Sequence, residues 1–136
     1  MTKPRKDLLL VEDNIHVIGL LRIIFVGKGV SPDKILLASN GKEALILLGK
    51  YDVSAIGLDL LMPEMSGTQF LHEFDRTQHN KVVVFSCVDD GRVDEYPNVN
   101  AIFKKPDEMN KYVDAILELI NKRKQDVVDS TAKPVD

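Results

Sequence analysis

Residues 53–67 read VSAIGLDLLMPEMSG, and this stretch decides how the rest of the chain is interpreted. The largely apolar run 53–58 is short and continuous, which is typical of a strand buried on both faces. It ends at Asp59, and further apolar residues follow that carboxylate. A carboxylate among apolar residues costs stability unless it is paired or bound to a cation. We therefore interpret Asp59 as a functional residue at the end of a buried strand.

Four further short apolar runs also predict strands, and helical patterns separate them. The runs are residues 8–11, 35–38, 82–85 and 101–103. Apolar residues at three- and four-residue spacing fill the intervals, and the pattern is clearest from Met109 to Ile120. Parallel strands need crossover helices, and strands that are apolar throughout need helices on both faces. The sequence therefore predicts an α/β fold, a doubly wound (βα)5 sandwich with a five-stranded parallel sheet.

The composition fits one soluble domain. The chain has 136 residues, of which 44% are hydrophobic and 29% charged, and its formal net charge is −3. This acidic balance argues against a stand-alone nucleic-acid binder or a membrane-surface protein. Cys87 is the single cysteine, so neither an internal disulfide nor a zinc cluster is predicted. The apolar run 8–11 is too short for a signal peptide, and we expect a cytoplasmic protein without a membrane span.

The helical pattern stops near the C-terminus. Basic residues 122–124 suit the negative end of a final helix. Residues 125–136 have no apolar period and contain Pro134. We interpret residues 1–124 as the folded domain and residues 125–136 as a flexible tail or the stub of a linker.

Polar residues stand where the predicted strands end. They are Glu12 and Asp13 after the first strand, Asp59 after the third, Ser86 after the fourth, and Lys105 before Pro106 after the fifth. Ligands of open α/β sheets bind outside the carboxyl ends of the strands, so these residues are predicted to form one site. Simpler interpretations are that Asp13 caps a helix and that Ser86 begins a turn.

The three carboxylates indicate a cation. Carboxylates a few ångströms apart repel each other, so a hard divalent ion is the simplest explanation of the cluster. Oxygen ligands favour Mg²⁺ over zinc. A phosphoryl group held by Mg²⁺, an ammonium and a hydroxyl is the arrangement that phosphoryl transfer uses. A free carboxylate would then accept the phosphoryl group.

Four motifs together resemble the response-regulator receiver domain of two-component phosphorelay signalling, over residues 6–124. They are LLLVEDN at 8–14, NGKEAL at 40–45, DLLMPEMSG at 59–67 and KP at 105–106. The resemblance implies a flavodoxin-like strand order, 2-1-3-4-5. It also implies a signalling switch rather than an enzyme, a chain that at most assists its own phosphorylation and dephosphorylation.

The resemblance also implies a role for each site residue. Asp59 would be the phosphoacceptor, Lys105 the phosphate contact and Ser86 the switch hydroxyl. The cofactor would be Mg²⁺, with Glu12, Asp13, Asp59 and the backbone carbonyl of Leu61 as ligands. The partner would be a histidine kinase or histidine phosphotransfer protein that docks at the first helix. Without an effector domain of its own, the chain would signal through another protein.

Two departures from the family pattern lie between Ser86 and Lys105. Ile102 stands three residues before Lys105, where the family usually has Tyr or Phe, and Phe103 would face the other side of the strand. The interval between Ser86 and Lys105 is also about one helical turn short, and residues 89–96 are a poor helix.

Leu61 and Val88 occupy two positions that tune the lifetime of the phosphorylated state in such domains. Neither side chain can orient an attacking water by a hydrogen bond, so we predict slow self-hydrolysis of phospho-Asp59. Leu61 also disfavours an aspartate-nucleophile phosphatase, because that family repeats an acid two positions after the nucleophile.

Two competing functions stay open. One is a degenerate receiver that acts as a phosphorylation-independent scaffold, against which the intact acidic residues and Lys105 argue. The other is a flavodoxin-like cofactor binder, which the absence of a Gly-rich phosphate loop after the first strand disfavours. The apolar surplus of the first helix, residues 15–26, indicates either deep burial or an exposed docking patch.

Overall fold

The structure, a computed structural model, describes residues 2–88 and 91–131. Within these residues the elements are β1 Arg5–Val11, α1 Ile15–Gly27, β2 Ile35–Ala38, α2 Gly41–Lys50, β3 Asp52–Leu58, α3 Gly67–Glu73, β4 Val82–Ser86, β5 Val99–Lys104 and α4 Met109–Thr131. Short 3-10 turns at Pro32–Lys34 and Val93–Glu95 precede β2 and β5.

The five strands form one parallel sheet in the order β2-β1-β3-β4-β5. This confirms the predicted parallel sheet and the 2-1-3-4-5 order. β3 lies at the centre, between β1 and β4, so its carboxyl end has a neighbouring strand end on either side. The residue that follows β3 is Asp59.

A separate apolar core covers each face of the sheet, because side chains alternate along each strand. Leu9 and Val11 of β1 pack on the face covered by α2 and α3, with Phe70. Leu8 and Leu10 pack on the face covered by α1 and α4. The same alternation places Ile102 against the first core and Phe103 against the second, as predicted.

Side-chain caps fix where the helices begin. The Asn40 carboxamide oxygen accepts from the Glu43 N–H at 2.9 Å at the start of α2. Ser66 and Gln69 form a reciprocal capping box at the start of α3. Both caps stand in loops that follow strands, so they set the direction in which the chain leaves the sheet.

The crossover between β4 and β5 contains a 3-10 turn and, in the part of it that the structure describes, no α-helix. Four helices rather than five therefore accompany the strands within the described residues. Gly91, with φ of +77°, and Pro97 interrupt any helical pattern here. Asn98, fully buried, donates to the carbonyls of Asp75 and Gln78 and holds the start of β5. The short crossover predicted from the sequence is thus observed.

The last helix is longer than its apolar period predicted. α4 continues past Lys124 to Thr131, whereas we expected the helical pattern to end at Lys124. A helix with a polar surface can extend beyond its packed part, and the apolar period marks only that part. Residues 132–136 of the predicted tail lie outside the described residues, and the division into domain and tail stays a prediction. In the described part of the chain, no helix, including α4, is long and apolar enough to cross a membrane.

Candidate functional site

The predicted site residues stand at the carboxyl ends of neighbouring strands. Backbone hydrogen bonds extend the sheet by one residue at each of these positions. The Asp59 N–H donates to the Val11 carbonyl at 3.0 Å, and the Lys105 N–H donates to the Ser86 carbonyl at 3.1 Å. The strand ends are therefore tied together, and their side chains meet at one edge.

Three carboxylates form a cluster at this edge. Glu12, Asp13 and Asp59 each offer one oxygen, and these oxygens lie within 4.8 Å of one another. Glu12 and Asp59 are buried, and Asp13 is exposed. The interpretation of Asp13 as the cap of α1 is wrong, because Asn14 accepts from the N–H groups of His16 and Val17.

Lys105 and Ser86 contact different oxygens of Asp59. The Lys105 ammonium is 3.5 Å from Asp59 Oδ2 and also pairs with Glu12 Oε1. Ser86 Oγ donates to Asp59 Oδ1 at 2.8 Å, so Ser86 does more than begin a turn. The Leu61 N–H is 3.3 Å from the same Oδ1. The Lys105–Pro106 peptide bond is cis.

The electrostatics of the cluster leave negative charge in excess. Burial and the adjacent Asp59 raise the pKa of Glu12 to about 7, while Lys105 opposes the rise. Among the described residues, one ammonium thus faces three carboxylates. A divalent cation with oxygen ligands would balance this charge, and carboxylates are the donors that Mg²⁺ prefers. The residues present therefore fit a Mg²⁺ site.

An open cavity of about 460 Å³ lies over the cluster. Its lining consists of Glu12, Asp13, Asn14, Asp59, Leu61, Met62, Pro63 and Cys87. The cavity is large enough for a phosphoryl group, and Asp13 in its lining is exposed. Leu61 is 66% exposed at its rim, and Val88, also exposed, follows Cys87.

Sequence reasoning missed one group close to this site. Tyr112 on α4 is fully buried, and its ring stacks on Phe85 with centroids 4.5 Å apart. Its hydroxyl lies against Gly57, two residues before Asp59. Burial, with the charges of Glu12 and Asp59 beside it, raises the pKa of Tyr112 above its ordinary value. The glycine inside an apolar strand was the available signal of a close approach.

Comparison with known proteins agrees with the fold described above. The chain is similar to the Francisella response regulator 1452 receiver domain, with a TM-score of 0.72 and 20% identity over 89% of this chain and 99% of that one. It is also similar to the response regulator TrrA of Thermotoga maritima in complex with Mg²⁺ and BeF, with a TM-score of 0.70 and 20% identity over 84% of this chain and 98% of that one. These similarities show the fold.

The chain matches only part of the length of its curated relatives. A probable cyclic di-GMP phosphodiesterase of Vibrio cholerae is 31% identical over 75 residues, which are 54% of this chain and 16% of the relative. The probable transcriptional regulator ycf27 of Porphyra purpurea is 26% identical over 90 residues, which are 65% of this chain and 35% of the relative. The chain therefore spans about a third or less of these relatives.

The match to a protein family covers most of the chain. The profile described as "Response regulator receiver domain" matches residues 8–116, from the first strand into the last helix. This range includes all the strand-end residues described above. The chain belongs to the response regulator receiver domain family of two-component signalling.

Proposed function

We propose that Asp59 accepts a phosphoryl group from a phosphohistidine on a donor protein, and that the phosphorylated edge of the sheet then changes partner binding. One observation carries this proposal. Ser86 Oγ and the Lys105 ammonium approach opposite oxygens of the Asp59 carboxylate, beside two further acidic groups. A hydroxyl and an ammonium beside a strand-end carboxylate can hold the oxygens of a phosphoryl group after transfer.

The transfer exchanges one bond to phosphorus for another. An Asp59 oxygen forms a bond to phosphorus, the bond between phosphorus and the histidine nitrogen breaks, and that nitrogen keeps the electron pair. Lys105 is positioned to neutralise charge on the phosphoryl oxygens, and Ser86 Oγ can donate a hydrogen bond to one of them. Lys105 and Ser86 thus position the phosphoryl group and neutralise its charge. Phosphoryl transfer requires little more of a protein.

Mg²⁺ is the proposed cofactor, and the TrrA structure contains Mg²⁺ with BeF. In this chain Glu12, Asp13, Asp59 and the Leu61 carbonyl would hold the ion. When bound, it offsets the repulsion among the carboxylates and the incoming phosphoryl oxygens. Glu12 would then contact the ion as well as Lys105. The Lys105 ammonium would therefore be available for the phosphoryl group.

The outer face of α1 is the proposed docking surface for the donor, a histidine kinase or histidine phosphotransfer protein. Ile18, Leu21 and Phe25 are buried, whereas Ile15 is 76% and Ile23 68% exposed. The apolar surplus of α1 therefore supplies both a buried face and an exposed patch. The exposed face begins next to the acidic cluster, so a helix seated on it would bring a histidine close to Asp59.

The chain would act as a stoichiometric phosphoacceptor and not as a turnover enzyme. Its output would pass through a downstream protein, without direct contact with nucleic acid or membrane, in the cytoplasm. Leu61 two residues after Asp59 weighs against a phosphatase. A phosphorylation-independent scaffold, in contrast, would bind its partners equally well without the phosphoryl group.

Intact-mass spectrometry after incubation with acetyl phosphate tests the proposal. We expect wild type to gain one phosphoryl group when Mg²⁺ is present and none when EDTA replaces it. Asp59→Asn should gain none, while Asp94→Asn, at an exposed aspartate outside the acidic cluster, should behave as wild type. No gain in wild type would favour the phosphorylation-independent scaffold.

A further inference from the structure

A second cavity, of about 550 Å³, lies at the other end of the sheet, where the strands begin. This basal cavity falls within the range of small-molecule sites, about 300–1,000 Å³. Leu45, Leu48, Tyr51 and Phe74 form its apolar wall. The first three of these side chains are only partly buried, so a ligand could cover them.

Three cations converge on one carboxylate beside this wall. Asp52, the first residue of β3, accepts from Arg123 Nη2 at 2.6 Å. Lys81 Nζ is 3.6 Å and Arg5 Nε 3.8 Å from the same carboxylate. The three cations come from different parts of the chain, a strand, a loop and α4, so the fold itself assembles the cluster.

Lys81 is the most buried of these cations. Its side chain is 11% exposed, and its closest polar contact is the neutral Gln78 Oε1 at 2.6 Å. Burial lowers the pKa of Lys81, and repulsion from Arg123 and Arg5 offsets part of the attraction of Asp52. A buried cation that shares one carboxylate with two others is stabilised by any further anion.

The remaining charged groups of the cavity do not cancel this excess. Lys3 also lines it, with its ammonium on the Leu48 carbonyl at 2.8 Å. Asp75 is the second carboxylate of the described lining, but its Oδ1 already accepts from the N–H and hydroxyl of Thr77. In the described lining of the cavity, Lys3, Lys81 and Arg123 thus face two carboxylates, and Arg5 pairs with Asp52 from outside that lining.

We propose that the basal cavity binds a small organic anion, whose carboxylate or phosphate contacts Lys81 and Arg123 and whose apolar part packs on Leu45 and Leu48. An inorganic anion would leave the apolar wall uncovered, and an uncharged apolar molecule would leave the cations unmatched. The site lies at the opposite end of β3 from Asp59, so it does not depend on the phosphoacceptor function.

Fluorescence titration of the whole chain with 1-anilinonaphthalene-8-sulfonate, an aromatic anion, tests this proposal. We expect saturable binding, weakened about tenfold or more in Arg123→Gln through loss of a charge-assisted contact. Lys122→Gln removes the same charge from the neighbouring exposed position and should bind as wild type. Asp59→Asn should also bind as wild type.

Two further measurements distinguish binding at the basal cavity from nonspecific binding of the dye. The uncharged analogue N-phenyl-1-naphthylamine should bind wild type and Arg123→Gln equally. Lys81→Gln, confirmed as folded by circular dichroism, should weaken the sulfonate as Arg123→Gln does. Equal sulfonate affinity in Arg123→Gln and Lys122→Gln, or no saturable binding in wild type, would overturn the proposal even if Asp59 is phosphorylated normally.

Discussion

The hydroxyl of Tyr112 lies directly over Gly57, where an added β-carbon would be 2.0 Å from the hydroxyl oxygen. The ring has little freedom to move away, because it stacks on Phe85 and meets Phe25 edge-on. We therefore expect Gly57→Ala to lower the free energy of unfolding by about 1–3 kcal/mol, the range for overpacked cores. Urea denaturation measures this loss.

Removal of the hydroxyl should relieve the clash. In Gly57→Ala with Tyr112→Phe, the ring carbon Cζ would lie 3.1 Å from the added β-carbon, so the double variant should recover part of the loss. Gly49→Ala is the control, because nothing lies within 4 Å of its added β-carbon. If Gly57→Ala and Gly49→Ala had the same free energy of unfolding, the close packing of Tyr112 against Gly57 would be wrong.

Mg²⁺ affinity should increase with pH through the ionisation of Glu12. Burial and the adjacent Asp59 raise the pKa of Glu12 to about 7, so the carboxyl is mostly protonated at pH 6 and mostly ionised at pH 8. Because the ion binds the ionised form, we expect about tenfold tighter binding at pH 8 than at pH 6. Isothermal titration calorimetry at the two pH values measures the difference.

Glu12→Gln is the control for this pH dependence. The amide does not titrate, so its weaker Mg²⁺ binding should change much less between pH 6 and pH 8. If Mg²⁺ affinity depended on pH equally in wild type and Glu12→Gln, the titrating group would be one other than Glu12.

Phospho-Asp59 should hydrolyse slowly in wild type and faster when a polar side chain replaces Leu61. Leu61 stands exposed at the rim of the cavity over Asp59 and offers no hydrogen bond to an attacking water. In Leu61→Asn the carboxamide can orient that water, and we expect decay to accelerate about tenfold. Decay of the phosphorylated mass with time measures the rate, and an unchanged rate in Leu61→Asn would contradict the prediction.

Local patterns predicted the sheet because each strand contains a short apolar run and a polar residue follows each run. In a parallel sheet those residues must share one edge, so the sequence alone places Glu12, Asp59, Ser86 and Lys105 together. The alternative interpretation of Asp13 as the cap of α1 is wrong for a simple reason. Asp13 and Asn14 are both good caps, and only the path of the loop decides between them.

Two features depend on tertiary contacts that the sequence pattern did not predict. The contact of Tyr112 with Gly57 joins residues of α4 and β3, and no local period indicates which strand a helix residue will touch. The cluster around Asp52 likewise joins a strand, a loop and a distant helix. Each of its members alone is an ordinary charged residue, which gave no reason to group them.

Phosphotransfer from a protein donor should depend on the outer face of α1. Ile23 is 68% exposed, and Ile23→Lys would place a charge in an apolar interface. We expect this variant to accept phosphate from a cognate phosphotransfer protein at least tenfold more slowly, yet from acetyl phosphate at the wild-type rate. Ile46→Lys, at a 54% exposed isoleucine of α2, is the matched control. Equal slowing in both variants would contradict docking at α1.

Asp52 should stabilise the fold only while it is ionised. Burial alone would raise its pKa, but the charges of Arg123, Lys81 and Arg5 outweigh burial and hold the pKa of Asp52 below its ordinary value of 3.8. Its contribution is therefore complete above the unfolded pKa and is lost as the pH falls through the lower folded pKa. We expect Asp52→Asn to lower the free energy of unfolding at pH 7 by about 1 kcal/mol, since the cluster is partly exposed.

The difference between wild type and Asp52→Asn should shrink as the pH falls below 3.8, because wild type then also loses the charge. Urea denaturation at pH 7 and pH 3 measures both values. Asp114→Asn removes a carboxylate from the exposed surface of α4 and should cost little at either pH. A loss in Asp52→Asn that is the same at both pH values would mean that Asp52 stabilises the fold through hydrogen bonds and not through its charge.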